Sequence, residues 1–307
     1  MIVFAAIAPH GAPVFDDPAG ATRQGMDELG RRFAAARPDA VIVVTPHGLH
    51  VDGHFAVVRS SQLAGDASQW TDADTRYEGP GEPTLAADCL SALVDDGLPA
   101  LGITFGSTAA GSSTMPLDWG TLIPLWFMRA PAVVVTPCRA RSNEEHVRAG
   151  AALARATGDR RVAFVASADH GHGHRADGPY GFAPESGPYD ERIQELVRGD
   201  LLAELVATDP AWAVAAKADS FWQLLMLHGA LGDGFEPELL SYEAPTYFGM
   251  LTAAYRPRQE AGRVPRSAPH GAQEAGPQDV PEDSQPDSQA HAEEAAHSVG
   301  GARPPSP

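Results

Sequence analysis

Apolar, β-branched runs recur along the chain at residues 2–8 (IVFAAIA), 40–46 (AVIVVTP), 55–59 (FAVVR), 101–105 (LGITF), 132–138 (AVVVTPC), 162–168 (VAFVASA) and 247–255 (YFGMLTAAY). Several are continuous rather than alternating, which is the pattern of strands buried on both faces. Helical periodicity fills the intervals. Residues 21–36 place Met26, Leu29 and Phe33 on one stripe, 143–157 form an Ala-rich helix, and 188–206 carry Ile193, Leu196 and Val197. Strands alternating with helices predict an α/β layer fold: one domain over residues 1–257, with a central, mostly parallel or mixed sheet flanked by helices on both faces.

Composition breaks at the end of that domain. From Arg258 to Pro307 there is no Leu, Ile, Phe, Tyr or Trp, and Pro, Ala, Gln, Ser and Glu dominate. Such a segment cannot bury enough apolar surface to offset its ordering entropy, so a disordered acidic tail is expected over 258–307. The formal charge of −18 argues against nucleic acid or an anionic membrane as partner, because both need a basic face. A small molecule fits better, and assembly with further copies of the chain is left open. Cys89 and Cys138 are too few and too far apart for a disulfide framework, and neither belongs to a CxxC pair, which points to the reducing cytoplasm. The opening MIVFAAIA lacks a basic flank and breaks at PHG, and no later run approaches the length of a membrane span.

Imidazoles collect where strands end. The first strand stops at Pro9 and presents His10; the second stops at Pro46 and presents His47, with His50 and His54 shortly after. After VAFVASA come His170, His172 and His174, separated by Gly171 and Gly173, so they sit on a loop rather than continue the strand. In open α/β sheets ligands bind in the crevice outside the carboxyl ends of the strands. A common sheet edge would bring the three groups together.

The segments APHGAPVF, TPHG, LDWGTLIPLWF, SADHGHGHRADGPYGF and LSYEAPTYFGM occur in that order. With them, the chain from Met1 to about Tyr255 resembles the class III extradiol ring-cleavage dioxygenases, the family of the protocatechuate 4,5-dioxygenase catalytic subunit and the DOPA dioxygenases. Each motif alone is weak, and five in register are specific. The resemblance implies a single α/β domain that uses non-haem Fe(II) and O2 to cleave a catechol-type aromatic beside its hydroxyls, in aromatic catabolism. It places the two histidine ligands on His10 and His47 and the acid/base histidine on His172. His170 and His174 are left as substrate contacts or plain loop residues. Two histidines and a carboxylate leave positions open on Fe(II), so that a catechol and O2 can bind side by side.

Two positions depart from the family pattern. Trp119 stands where relatives have a substrate-contacting histidine, and it could instead stack on an aromatic ring. Relatives also carry a ligand Glu before a helix, whereas here AKADSFWQLLMLHGALG offers Asp219, one residue from the aligned position at Ala218. Ser220 and Gln223 have capping-box spacing, which would free Asp219 from capping the helix that follows. Glu243, in LSYEAP, is the rival ligand. The same donor set would suit Zn(II), so a zinc-dependent hydrolase is an alternative, as is a nonenzymatic binding protein that keeps the pocket.

Overall fold

The computed structural model describes residues 1–258 apart from 70, 72 and 108, with 110 described by its backbone only. The chain opens with β1 (Ile2–Ala8), one short turn α1 (Pro13–Asp16) and α2 (Ala21–Ala36). Strands β2 (Ala40–Val44), β3 (Phe55–Val58), β4 (Gln62–Gly65) and β5 (Tyr77–Pro80) follow, then α3 (Pro83–Asp95), β6 (Ala100–Ile103) and β7 (Thr114–Pro116). Next come α4 (Trp119–Phe127), β8 (Ala132–Thr136), α5 (Asn143–Ala156), β9 (Val162–Ser167) and α6 (Ser186–Gly199). The fold closes with α7 (Pro210–Ala215), α8 (Phe221–Leu231), β10 (Phe235–Glu243) and β11 (Met250–Pro257).

Eight strands form one mixed sheet in the order β10-β11-β1-β9-β2-β8-β3-β6, and β5-β4-β7 form a smaller one. The middle four, β1, β9, β2 and β8, are parallel neighbours, while β11 and β3 flank them antiparallel. Each central strand is buried on both sides. Ala5, Ile7, Phe164 and Ala166 enter one apolar core, and Phe4, Ala6, Ala163 and Val165 the other. This two-sided burial is why the sequence runs are continuous. The first core is closed by Leu93, Leu153, Ile193 and Leu225 from α3, α5, α6 and α8. The second is closed by Met26, Leu29 and Phe33 of α2 and by Leu122 and Leu125 of α4.

Helices α5 and α8 touch through their backbones. A Cβ on Gly150 would lie 1.9 Å from the Met226 carbonyl oxygen, and one on Gly229 would lie 1.9 Å from that of Val147. Only glycine at both positions allows this approach, which draws α8, and the residues that precede it, in against the sheet.

The helix expected over 188–206 stops early. α6 ends at Gly199, where Asp200 adopts a left-handed conformation (φ 58°), and the rest is a 3-10 turn over Leu202–Ala207. Aspartate is among the few residues that enter this region readily, so Gly199-Asp200 acts as a helix stop. Both cysteines are free and buried. Among the described residues no helix is long and apolar enough to cross a membrane. Of the expected tail, Arg258 is held to the fold by its N–H to Gly234 and its side chain to Asp233 and Asp200, and 259–307 lie outside the described residues.

Candidate metal centre and its cavity

Parallel pairing of β1, β9 and β2 sets their carboxyl ends on one edge. His10 leaves β1, His47 leaves β2, and the segment from Asp169 to His174 leaves β9. The antiparallel β11 starts at the same edge, which brings in Tyr247 and Phe248 just before it. Asp219 arrives from the loop ahead of α8.

Three side-chain atoms meet there. His10 Nε2 is 3.0 Å from His47 Nε2 and 3.4 Å from Asp219 Oδ2, and His47 Nε2 is 3.2 Å from the same oxygen. Atoms that each lie about 2.1 Å from one ion stand about 3.0 Å apart at a right angle and about 3.4 Å apart at a tetrahedral angle. The spacing therefore suits a single divalent cation, and the donor set is that of a two-histidine, one-carboxylate site.

The residues behind the triangle fix its orientation. Ser167 Oγ gives its one proton to the Gly120 carbonyl, so at its 2.9 Å contact with His10 Nδ1 it can only accept. The hydrogen of His10 is thereby placed on Nδ1, and the Nε2 lone pair faces the centre. Asp219 Oδ1 accepts from the Asp169 N–H at 3.1 Å, which turns Oδ2 toward the imidazoles. Asp118 braces His47 indirectly: it caps α4 through Thr121 N–H at 2.9 Å and accepts from Thr45 Oγ1 at 2.8 Å, and Thr45 Oγ1 accepts the His47 N–H.

Buried charge makes the centre attract cations. Burial lowers the His10 pKa, but the carboxylates of Asp169 and Asp219 outweigh it and hold His10 up at about 9. Burial would raise Asp219, yet the imidazoles of His10 and His47 keep it well below the usual carboxylate range. Asp169, with Oδ2 3.5 Å from His10 Nε2, is pushed up by burial beyond what His10 offsets. Positive charge at Nε2 is favoured, whether carried by a proton or by a metal.

A cavity of about 350 Å³ opens on this centre, with His10, His47 and Asp169 in its wall. Trp119, Ile123, Tyr247 and Phe248 form the apolar part of its wall, and Asp16, Thr71 and Thr246 add polar groups. The Trp119 ring lies 4.3 Å from that of His47, tilted by 34°. His172 also lines the cavity, stacked on Phe248 at 5.2 Å with 19° between planes. Asp219 faces an adjoining opening of about 390 Å³ that shares His47, His172 and Tyr180 with the first.

Of the residues singled out in the sequence, His10, His47, Asp219, His172 and Trp119 are brought together, and three others are not. His170 turns into the interior, fully buried, with neither ring nitrogen bonded. His174 Nε2 is 2.8 Å from Asp190 Oδ2, outside the cavity wall. Glu243 Oε1 accepts the Thr22 N–H at 2.7 Å at the start of α2, whose N-cap is Gly20, and so supplies the carboxylate that glycine lacks. The expected capping box is not formed: Ser220 Oγ pairs with the Tyr189 hydroxyl at 2.9 Å, and Gln223 Nε2 donates to the Ser167 carbonyl. Both side chains find buried partners instead. Sequence reasoning missed Ser167 and Asp169, although both stand in the SADH segment, and missed the aromatic pair Tyr247 and Phe248.

Comparison with known proteins identifies the family and the fold. The family model described as the catalytic LigB subunit of aromatic ring-opening dioxygenase matches residues 5–252. Protein CA_C1420 of Clostridium acetobutylicum is 23% identical over 229 residues, covering 72% of this chain and 49% of that protein. The chain thus spans about half the length of this relative. The crystal structure of uncharacterized protein JW3007 from Escherichia coli K12 shares the fold, with a TM-score of 0.59 at 18% identity over 82% of this chain and 99% of that one.

Proposed function

Because this chain belongs to the family of the catalytic LigB subunit of aromatic ring-opening dioxygenase, we propose that it is a non-haem Fe(II)-dependent extradiol dioxygenase acting on a catechol-type aromatic with O2. The observation that carries the reading is the triangle of His10 Nε2, His47 Nε2 and Asp219 Oδ2 beside a cavity walled by aromatic side chains. Ferrous iron held by these three residues would supply the open positions at which catechol and dioxygen meet, and a path for electron density from the catechol to dioxygen.

The protein's own part is placement and proton transfer. Trp119 and Phe248 offer ring faces against which an aromatic substrate stacks, and the apolar wall excludes water. His172, held by its stacking on Phe248, takes a proton from a ring hydroxyl as the substrate binds and returns it as the ring opens. The carbon–carbon bond beside the hydroxyls breaks, and both atoms of O2 enter the product. The buried free thiols Cys89 and Cys138 suit a reducing cytoplasm.

The test is anaerobic purification, metal analysis and O2 uptake across a panel of catechols and aminophenols. Iron-loaded protein is expected to consume O2 and form a yellow ring-opened product with at least one of them. Tight zinc binding with no oxygen uptake, even after Fe(II) reconstitution, would overturn the reading in favour of a hydrolase or a binding protein.

A further inference from the structure

The glycines that separate the three histidines after β9 attach this loop to α6. Gly171 N–H donates to Asp190 Oδ1 at 2.7 Å, and Gly173 N–H donates to Ser186 Oγ at 2.9 Å. These are the amides on either side of His172. Ser186 and Asp190 stand four residues apart at the start of α6, so their side chains share one face of the helix. The helix thus grips the chain immediately before and immediately after the imidazole. Between the two grips, the His172 N–H donates to the Ala216 carbonyl at 3.2 Å, and the Ser186 hydroxyl donates to the same oxygen at 2.9 Å.

Glycine is what lets the loop lie this close. A Cβ on Gly171 would be 2.7 Å from Ser186 Cβ, and one on Gly173 would be 2.4 Å from Ala183 Cβ. A side chain at either position would lift the loop off α6 and carry His172 with it. The segment that supplies the stacking partner is tied in at the same point. Gly249 N–H donates to Gly171 O at 3.1 Å, His170 N–H donates to Gly249 O at 2.8 Å, and a Cβ on Gly249 would be 1.8 Å from Asp190 Oδ2. Asp190 therefore backs both the loop that carries His172 and the residue next to Phe248, on which the imidazole stacks.

Both anchors are themselves fixed. Ser186 is fully buried, and Asp190 Oδ2 takes the Tyr242 hydroxyl and His174 Nε2, each at 2.8 Å. A buried carboxylate is destabilising unless it is fully hydrogen-bonded, and the one backbone group that Asp190 takes is the amide adjoining His172. Neither Ser186 nor Asp190 lines the cavity or the adjoining opening.

We propose that Ser186 and Asp190 are positioning residues: they touch neither substrate nor metal, and through the amides of Gly171 and Gly173 they set the place of the His172 ring. The proposal rests on the reading of His172 as the proton carrier for what that placement accomplishes.

The test uses the full-length, iron-loaded protein. Ser186→Ala and Asp190→Ala should each lower kcat about 10- to 100-fold, since a displacement of about 1 Å in a reacting group has a cost of this order. KM for the catechol and Fe(II) affinity should stay near their wild-type values. Asp190→Asn keeps an oxygen for the Gly171 N–H and should recover most of the lost kcat, and it keeps the test open if Asp190→Ala does not fold. The decisive comparison is made in the His172→Ala background. There, the same substitutions should change kcat by less than about twofold, because the group they position is gone. An equal loss in both backgrounds would overturn the proposal, since the two residues would then act on the fold or the metal centre rather than through His172.

A second readout needs no turnover. Hydrogen exchange should show the amides of 171–173 and 249 released about tenfold or more in Ser186→Ala and Asp190→Ala, with those of β1 and β2 unchanged. Such local release in a protein that consumes no O2 with any catechol would keep the hold on His172 and remove the ring-cleavage reading. Wild-type protection of these amides in both variants would overturn the hold and leave ring cleavage standing.

Discussion

Replacing Ser167 by alanine tests the account of how His10 is oriented. The hydroxyl is fully buried, accepts from His10 Nδ1 at 2.9 Å and donates to the Gly120 carbonyl. Its removal leaves both partners buried and unbonded, and each such group costs about 1–3 kcal/mol, so the variant is expected to lose about 2–4 kcal/mol of stability after partial relaxation. The metal effect is separate. Without Ser167 nothing pins the hydrogen on Nδ1, and losing a partner of this kind typically weakens metal binding about 10- to 100-fold, or about 1.4–2.7 kcal/mol. Competition of Fe(II) or Zn(II) against a chromophoric chelator measures the affinity, and urea unfolding of the metal-free protein measures the stability. Ser241→Ala is the control: it removes the buried 2.7 Å hydroxyl pair with Thr252, outside the cavity wall, and should lower stability with no change in affinity. If Ser167→Ala is destabilised while its metal affinity stays within twofold of wild type, the orientation of His10 is set by something else and the argument fails.

Asp219→Asn keeps shape and removes charge, so it should reduce Fe(II) affinity by at least 100-fold and abolish ring cleavage, whereas Glu243→Gln should retain the metal and only loosen the start of α2; the reverse result would make Glu243 the ligand. His172→Ala should hold metal as wild type does and turn over on the order of 100-fold or more slowly, since it removes a proton carrier and no ligand; loss of the metal would refute that role. Burial depresses the His146 pKa to about 4, against the Ser142 carbonyl contact that opposes it. The unfolded chain therefore takes up a proton there between about pH 6.5 and pH 4 that the folded protein does not, and stability should fall by up to about 3 kcal/mol as pH drops through that window. His146→Leu should flatten this part of the pH profile in urea titrations, and an unchanged slope would count against it.

The parts of the site that could be read in the sequence are those fixed by strand topology. Continuous apolar runs identify strands buried on both faces, such strands are parallel neighbours, and residues leaving their carboxyl ends must share an edge; that His10 and His47 stand at one edge follows from this, while their role as ligands came from the family resemblance. Within the glycine-separated triplet the local pattern does not tell one imidazole from another, and only the family resemblance singles out His172. What separates them is long-range: His174 is taken up by Asp190 from α6, His170 is turned inward, and His172 is selected by Phe248. Ser220 and Gln223 mislead for the same reason, since their partners Tyr189 and Ser167 come from distant segments. β10 escaped notice because it is an edge strand that carries Pro237 and several acidic residues, and the strands of the small sheet have only three or four residues each.

The carboxylates at this edge also show why Asp219 reads as a ligand and Asp190 does not. Asp190 and Asp219 are both buried, at 1% and 7% exposure, and among the described residues no Lys or Arg is buried to compensate either. Asp190 is satisfied by hydrogen bonds alone: Gly171 N–H on Oδ1 at 2.7 Å, and the Tyr242 hydroxyl and His174 Nε2 on Oδ2, each at 2.8 Å. A carboxylate supplied with donors on both oxygens has no need of a metal. Asp219 has one backbone donor, on Oδ1, and its Oδ2 confronts two imidazole nitrogens, one of which presents a lone pair because Ser167 holds its hydrogen on the far side. An anion facing a lone pair at 3.4 Å is unfavourable unless a positive charge stands between them. In the metal-free protein a proton on His10 Nε2 relieves this, as the raised pKa of that ring implies, but it serves one nitrogen only, whereas a divalent cation satisfies His10, His47 and Asp219 together. The metal-free protein should accordingly be less stable than the loaded one by more than any single hydrogen bond contributes, and chelator treatment followed by urea unfolding would show the difference; identical unfolding midpoints with and without metal would mean that the triangle is held together by protons alone.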